Sequence, residues 1–177
     1  FWYIAYCMDT LDRFELSIES LMAENQHFEY DINDDFFEAV EAGDIHKGSL
    51  KITIATQKMA QNVDLHIVID GTVSIPCDRC LDEMEQPVHV DTHTTVTIGD
   101  DIDSDDITVS PDARTVNIAW NVYEYIALAV PTVHTHPDGE CNAEMMAKIR
   151  EHTIDENTER IKTDPRWDVL KNISNNN

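Results

Sequence analysis

Three cysteines and two histidines stand where they could share one metal ion. Cys77 and Cys80 are spaced C-x-x-C within Pro76-Cys77-Asp78-Arg79-Cys80, and Cys141 follows His134 and His136 across Pro137-Asp138-Gly139-Glu140. Zinc takes four ligands from thiolate and imidazole, and C-x-x-C lets two thiolates turn onto one ion. Cys77, Cys80, Cys141 and His136 would complete a structural Zn2+ site, with His134 as the alternative fourth ligand. The first half is the more specific, because H-x4-C is not a standard knuckle spacing. Two other readings stand beside it: reduced thiols that lie close together without metal, and redox work. The redox reading is the weaker, because a reactive C-x-x-C opens a helix whose N-terminus lowers the first thiol's pKa. Pro87 and a strand follow Cys80 too soon for that helix. A structural disulfide is not needed in a chain of this size, which can bury a core without staples.

Other constellations are fainter. His89, Asp91 and His93 alternate along one strand and so share a face, which reads as solvated before it reads as metal-binding. Asp101, Asp103, Asp105 and Asp112 echo a calcium loop, but Asp106 stands where the sharp turn wants glycine, and position twelve lacks its glutamate. Gly43, Gly48, Gly71, Gly99 and Gly139 are too scattered for a phosphate-cradling loop. No G-x-S-x-G elbow or H-E-x-x-H helix occurs. Glu124 is read as solvated or capping, since Tyr123, Ile126, Ala127 and Val130 fall at core spacing around it.

Charge restricts the partners. Thirty-five Asp and Glu against twelve Lys and Arg give a formal charge of −23. Nucleic-acid affinity comes largely from cationic side chains displacing counterions, so direct tight RNA binding is disfavoured. A basic protein partner fits the field better, although acidity also serves solubility alone. No apolar run approaches the roughly 18–20 residues that span a membrane, and the apolar opening lacks the basic flank of a secretory signal.

The elements that must position these residues show mostly period-two alternation. Strands are expected over 14–18, 28–32, 50–54, 63–75 and 87–98, with Gly71 marking a bulge or bend. Asn33 and Asp34 look like caps for a helix over 35–42, ended by Gly43. An acidic loop from Asp100 to Asp106 leads to short strands at 107–109 and 115–118. Helices follow over 119–129 and about 142–151. The fold class is α+β: a mostly antiparallel β-sheet or partial barrel with two or three helices and a zinc knuckle. Residues 1–8 are read as a non-native or disordered extension with Met8 as the start, 9–152 as one domain, and 153–177 as a polar tail. In that tail Asp164-Pro165-Arg166-Trp167 opens a short helix, because Asp before Pro makes a good cap pair.

Four motifs in order resemble the YceD-like family of large ribosomal RNA subunit accumulation proteins, specifically its Bacteroidetes-type members. They are Thr72-Val73-Ser74-Ile75-Pro76-Cys77-Asp78-Arg79-Cys80-Leu81, Tyr123-Glu124-Tyr125-Ile126-Ala127-Leu128-Ala129-Val130-Pro131, His136-Pro137-Asp138-Gly139-Glu140-Cys141-Asn142 and Asp164-Pro165-Arg166-Trp167. The resemblance implies a non-enzymatic, cytoplasmic ribosome-biogenesis factor needed for synthesis, processing or stability of large-subunit ribosomal RNA. It implies a large-subunit ribosomal protein or pre-ribosomal particle as partner, and no membrane. Cys77, Cys80 and Cys141 match the family's cysteine pattern; where many members carry a further cysteine, this chain offers His134 or His136. The rival expectation is a zinc-dependent or thiol enzyme centred on Cys77, Cys80 and Cys141.

Overall fold

In a computed structural model the chain is described from residue 10 to 153, apart from 24, 42, 44, 60–61 and 100–106. The expected extension over 1–8, the loop aspartates Asp101, Asp103 and Asp105, and the tail with its Asp164-Pro165-Arg166-Trp167 helix all lie outside the described residues.

Three long strands carry the architecture: β3 (Lys47–Met59), β4 (Asn62–Pro76) and β5 (Glu83–Ile98). With β2 (His27–Ile32) and β6 (Ile107–Val109) they form a five-stranded sheet in the order β2-β3-β4-β5-β6. All its pairings are antiparallel except β5 with β6, which is parallel. A second sheet pairs β1 (Glu15–Ser17) with β7 (Thr115–Asn117). The expected α+β class, mostly antiparallel, holds, and the described strand order is open rather than closed into a barrel.

Alternation explains the sheet's two faces. Leu50, Ile52 and Ile54 of β3 and Val63, Leu65, Ile67, Ile69, Val73 and Ile75 of β4 are all buried on one side. Ile52 lies opposite Ile69, and Ile54 opposite Ile67. Each such side chain stabilises the fold by about 1.5–3 kcal/mol on burial, and a one-residue slip would turn the whole set outward. The other face is polar, with Lys51 paired to Glu29 at 2.7 Å.

Helices cover the apolar face. α2 (Asp34–Val40) delivers Phe36 and Phe37, and α3 (Ala119–Ala129) delivers Ala119, Val122, Tyr123 and Ile126 at helical spacing. Phe14 closes the end of the core, its ring 5.1 Å from Tyr30 and 4.9 Å from Phe36. α1 (Ile18–Leu21) is a single turn, and α4 (Ala143–His152) follows the cysteine region.

Three expectations need correction. Ile18 was expected on a strand, yet Ser17 ends that strand and caps α1, its hydroxyl accepting from the Ser20 amide at 3.0 Å. α2 stops at Val40 rather than 42, because Glu41 already takes left-handed backbone, with φ of 51°. Gly71 marks no bulge: β3 and β4 pair one to one from Lys47 with Ser74 to Met59 with Asn62.

Candidate metal centre

The C-x-x-C sits at the tip of the β4–β5 hairpin, where the strands must reverse. Cys77 and Cys80 flank a turn closed by the Leu81 amide donating to the Cys77 carbonyl at 2.9 Å. Leu81 supplies the left-handed residue, with φ of 65°. The Cys77 amide donates to the Asp82 carbonyl at 2.9 Å, so the loop is pinned at both ends. No helix follows Cys80; β5 begins at Glu83, four residues before the expected start at 87.

A second loop, between α3 and α4, is laced to this tip. The Asp78 amide donates to the His134 carbonyl at 2.9 Å, and the His134 amide donates to the Asp78 carboxylate at 2.8 Å. Asn142 donates to Asp82 at 3.1 Å while accepting from the Glu144 and Met145 amides, which caps α4. Asp78, Asp82 and Asn142 are therefore the braces of the site, and the sequence reading passed over them. Short polar residues immediately beside the cysteines were the available sign. Replacing Asn142 by alanine removes cap and brace together; a loss of about 1 kcal/mol, seen as faster amide exchange confined to α4, is expected.

These contacts bring together Cys77, Cys80, His136 and Cys141, whose ligand atoms all lie within 4.8 Å of one another. Cys77 Sγ is 4.0 Å from Cys141 Sγ, and Cys80 Sγ is 3.3 Å from His136 Nδ1. Four ligands around zinc at 2.0–2.3 Å would stand about 3.3–3.8 Å apart, so the donor set fits a tetrahedral ion with small adjustments. A disulfide would need about 2.05 Å, and Cys77, Cys80 and Cys141 are free thiols. His134 is not brought into this group. Its Nδ1 lies 3.0 Å from the Pro131 carbonyl and its Nε2 3.6 Å from Asp78.

The electrostatics favour a ligand thiolate. Burial raises the Cys77 thiol, but amides of Cys80, His136 and Arg79 aimed at its sulfur overcome this and lower its pKa to about 5. The His136 and Arg79 amides both stand 3.4 Å from that sulfur. Burial, then the neighbouring Cys77 and Cys80, push Cys141 up, and hydrogen bonding to Cys77 raises His136. Three thiols and an imidazole packed together make a donor set of the kind that zinc takes.

Elsewhere, His89 and His93 meet the neighbouring strand rather than a shared ion. His89 pairs with Asp70 at 2.5 Å, His93 with Asp64 at 2.9 Å, and Asp91 with His66 at 2.7 Å. They form no potential metal group among the described residues. Glu124 is exposed and accepts a hydrogen bond from the Trp120 indole at 2.8 Å.

Fold and site together define a mostly antiparallel α+β protein whose longest hairpin ends in a clustered thiol–imidazole knuckle. The family described as large ribosomal RNA subunit accumulation protein YceD matches residues 63–174. That is more than half of the chain, and the chain belongs to this family. The match spans β4 with the C-x-x-C, α3, and the His136–Cys141 loop. The family is described by the accumulation of an RNA, not by a catalysed reaction. No curated protein and no solved structure matches the chain. Among the described residues no helix is long and apolar enough to cross a membrane.

Proposed function

We propose that this protein is a non-enzymatic, cytoplasmic ribosome-biogenesis factor. It supports accumulation of large-subunit ribosomal RNA by contacting a basic large-subunit ribosomal protein or a pre-ribosomal particle that carries one. Family membership carries this reading. The charge of −23 directs it toward protein rather than bare RNA, because such a field repels phosphate and speeds encounter with cationic partners.

In this reading Cys77, Cys80, His136 and Cys141 hold one structural Zn2+, which clamps the hairpin tip to the loop before α4. Four protein ligands leave no open position for substrate, as befits a structural rather than a catalytic ion. The thiol-enzyme alternative draws on the low pKa of Cys77, yet that side chain is fully buried. A cavity of about 430 Å³ opens nearby between Arg79, Met146 and Arg150, but of the three cysteines only Cys141 lines it. Reactive thiols need solvent access as well as thiolate character.

Two measurements test this. Depletion in the host should lower large-subunit ribosomal RNA and free large subunits selectively; an unchanged subunit profile would remove the functional reading while leaving the family intact. For the ligand set, His136→Ala should weaken zinc binding at least about tenfold, given that even supporting partners are worth 10–100-fold. His134→Ala should retain the metal. The reverse order would make His134 the fourth ligand.

A further inference from the structure

The helix that seals the core also carries an outer ridge that stands largely exposed. Ala119, Val122, Tyr123 and Ile126 point inward from α3. On the opposite side Trp120, Glu124 and Leu128 fall four residues apart and so form one line, about 12 Å long. Trp120 is 54% exposed and Leu128 83% exposed. Single exposed apolar residues are ordinary. Two large ones on one ridge, with a carboxylate between them, are a patterned surface.

The ridge is also prepared for contact. The Trp120 indole donates to Glu124 at 2.8 Å and leans on Tyr123, with ring centroids 5.8 Å apart. An aromatic anchor held from two sides loses little freedom when a partner arrives. Glu124 makes no ion pair with a cation among the described residues. A positive charge brought to that carboxylate would displace no cation of the described residues.

We propose that the Trp120–Glu124–Leu128 ridge of α3 seats a basic amphipathic segment of a protein partner, with a lysine or arginine on Glu124 between two apolar contacts. The inference rests on the function proposed above and names the surface through which it works. Charge selects the occupant. RNA would bring phosphate to a carboxylate within a chain of −23. A second copy docked about a twofold axis at the ridge centre would set Glu124 against Glu124. A cationic segment meets neither obstacle, and its field complements the whole molecule. So short a ridge gives a contact at the small, transient end of the interface range, which suits a factor that must leave its particle.

The test uses the full chain in its host, with a benzophenone amino acid at position 128 and, separately, at His89 on the outer sheet face. Irradiation should link position 128 to a basic protein through a peptide that contains lysine or arginine. Glu124→Lys and Trp120→Ala should each lower that yield about tenfold or more, Glu124→Lys with thermal unfolding unchanged. A synthetic peptide of the crosslinked segment should quench or shift Trp120 fluorescence, with affinity falling as salt rises. Crosslinks from position 128 only to residues 154–177, a second copy or RNA would overturn the proposal, as would full crosslinking in Glu124→Lys. A basic protein captured from position 89 but not from 128 would overturn the ridge and keep the proposed function; capture from neither would overturn both.

Discussion

Cys77→Ser is expected to abolish zinc binding and to release the segment from His134 to His152 without unfolding the sheet. The expectation follows from where the cluster sits. Cys77 and Cys80 lie at the far end of the β4–β5 hairpin, beyond the last of its paired residues, Pro76 with Glu83. The buried apolar cluster that runs from Phe14 to Ile126 does not include the cysteines. α4, by contrast, buries none of its side chains fully. Its attachment runs through Cys141 and through Asn142, which reaches Asp82 at 3.1 Å. Structural zinc sites carry apparent binding free energies of about 10–16 kcal/mol in small peptides. Most of that energy is expected to appear locally in this protein, because the sheet has its own core. Elemental analysis should give one zinc per wild-type chain and essentially none in the variant. Hydrogen exchange should accelerate across 134–152 and remain slow in β3 and β4. A chelator should reproduce the variant's exchange pattern in the wild type. Wild-type protein that neither contains nor takes up zinc, with exchange across 134–152 identical to that of Cys77→Ser, would refute the metal.

Which parts of this were legible follows from how local their causes are. The long strands were readable because one face of each is a run of Ile, Leu and Val at period two, as in Val63, Leu65, Ile67 and Ile69. α3 was readable at both ends because its apolar spacing changes to helical at Ala119 and Pro131 stops it. The first four residues of β5 were not, since Glu83 and Glu85 are exposed and alternate with the half-buried Met84 and Gln86 rather than with large aliphatics. The parallel pairing of Val96 with Ile107 and Ile98 with Val109 leaves no local mark, because it depends on where a connecting segment returns. In the site, the C-x-x-C announces itself by spacing. Which histidine stands beside the thiols is decided in three dimensions: His136 lies among them, and the His134 ring instead meets the Pro131 carbonyl and Asp78. The α3 ridge escaped notice for a related reason: periodicity shows which residues face the core, and says nothing about the outward ones.

Gly71→Ala is expected to be the most damaging single methyl in the described chain. A bulge or bend was the natural reading of a lone glycine within a strand, and the one-to-one pairing on both sides excludes the bulge. The observed cause is a close approach of backbone. A Cβ at Gly71 would stand 2.2 Å from the Ser49 carbonyl oxygen and 2.6 Å from Leu50 Cα. Neither atom belongs to a flexible side chain, so the strand itself has to move. Gly71 sits opposite Leu50 on one side and Val88 on the other, which places it in the middle of the sheet with both neighbours fixed by long ladders. Its φ of 157° adds strain for any L side chain. Overpacking costs about 1–3 kcal/mol and an unfavourable backbone region about the same again. A total near 3 kcal/mol or more is a large share of the roughly 5–15 kcal/mol that holds a domain together. At about 2–4 °C per kcal/mol, the melting temperature should fall by roughly 10 °C. Gly99→Ala is the matched control, since a Cβ there meets nothing within 4 Å, and its melting temperature should hold or rise slightly. Equal melting of the two variants would mean that β3 and β4 have room at Gly71 after all, and close backbone approach would not be the reason for glycine there.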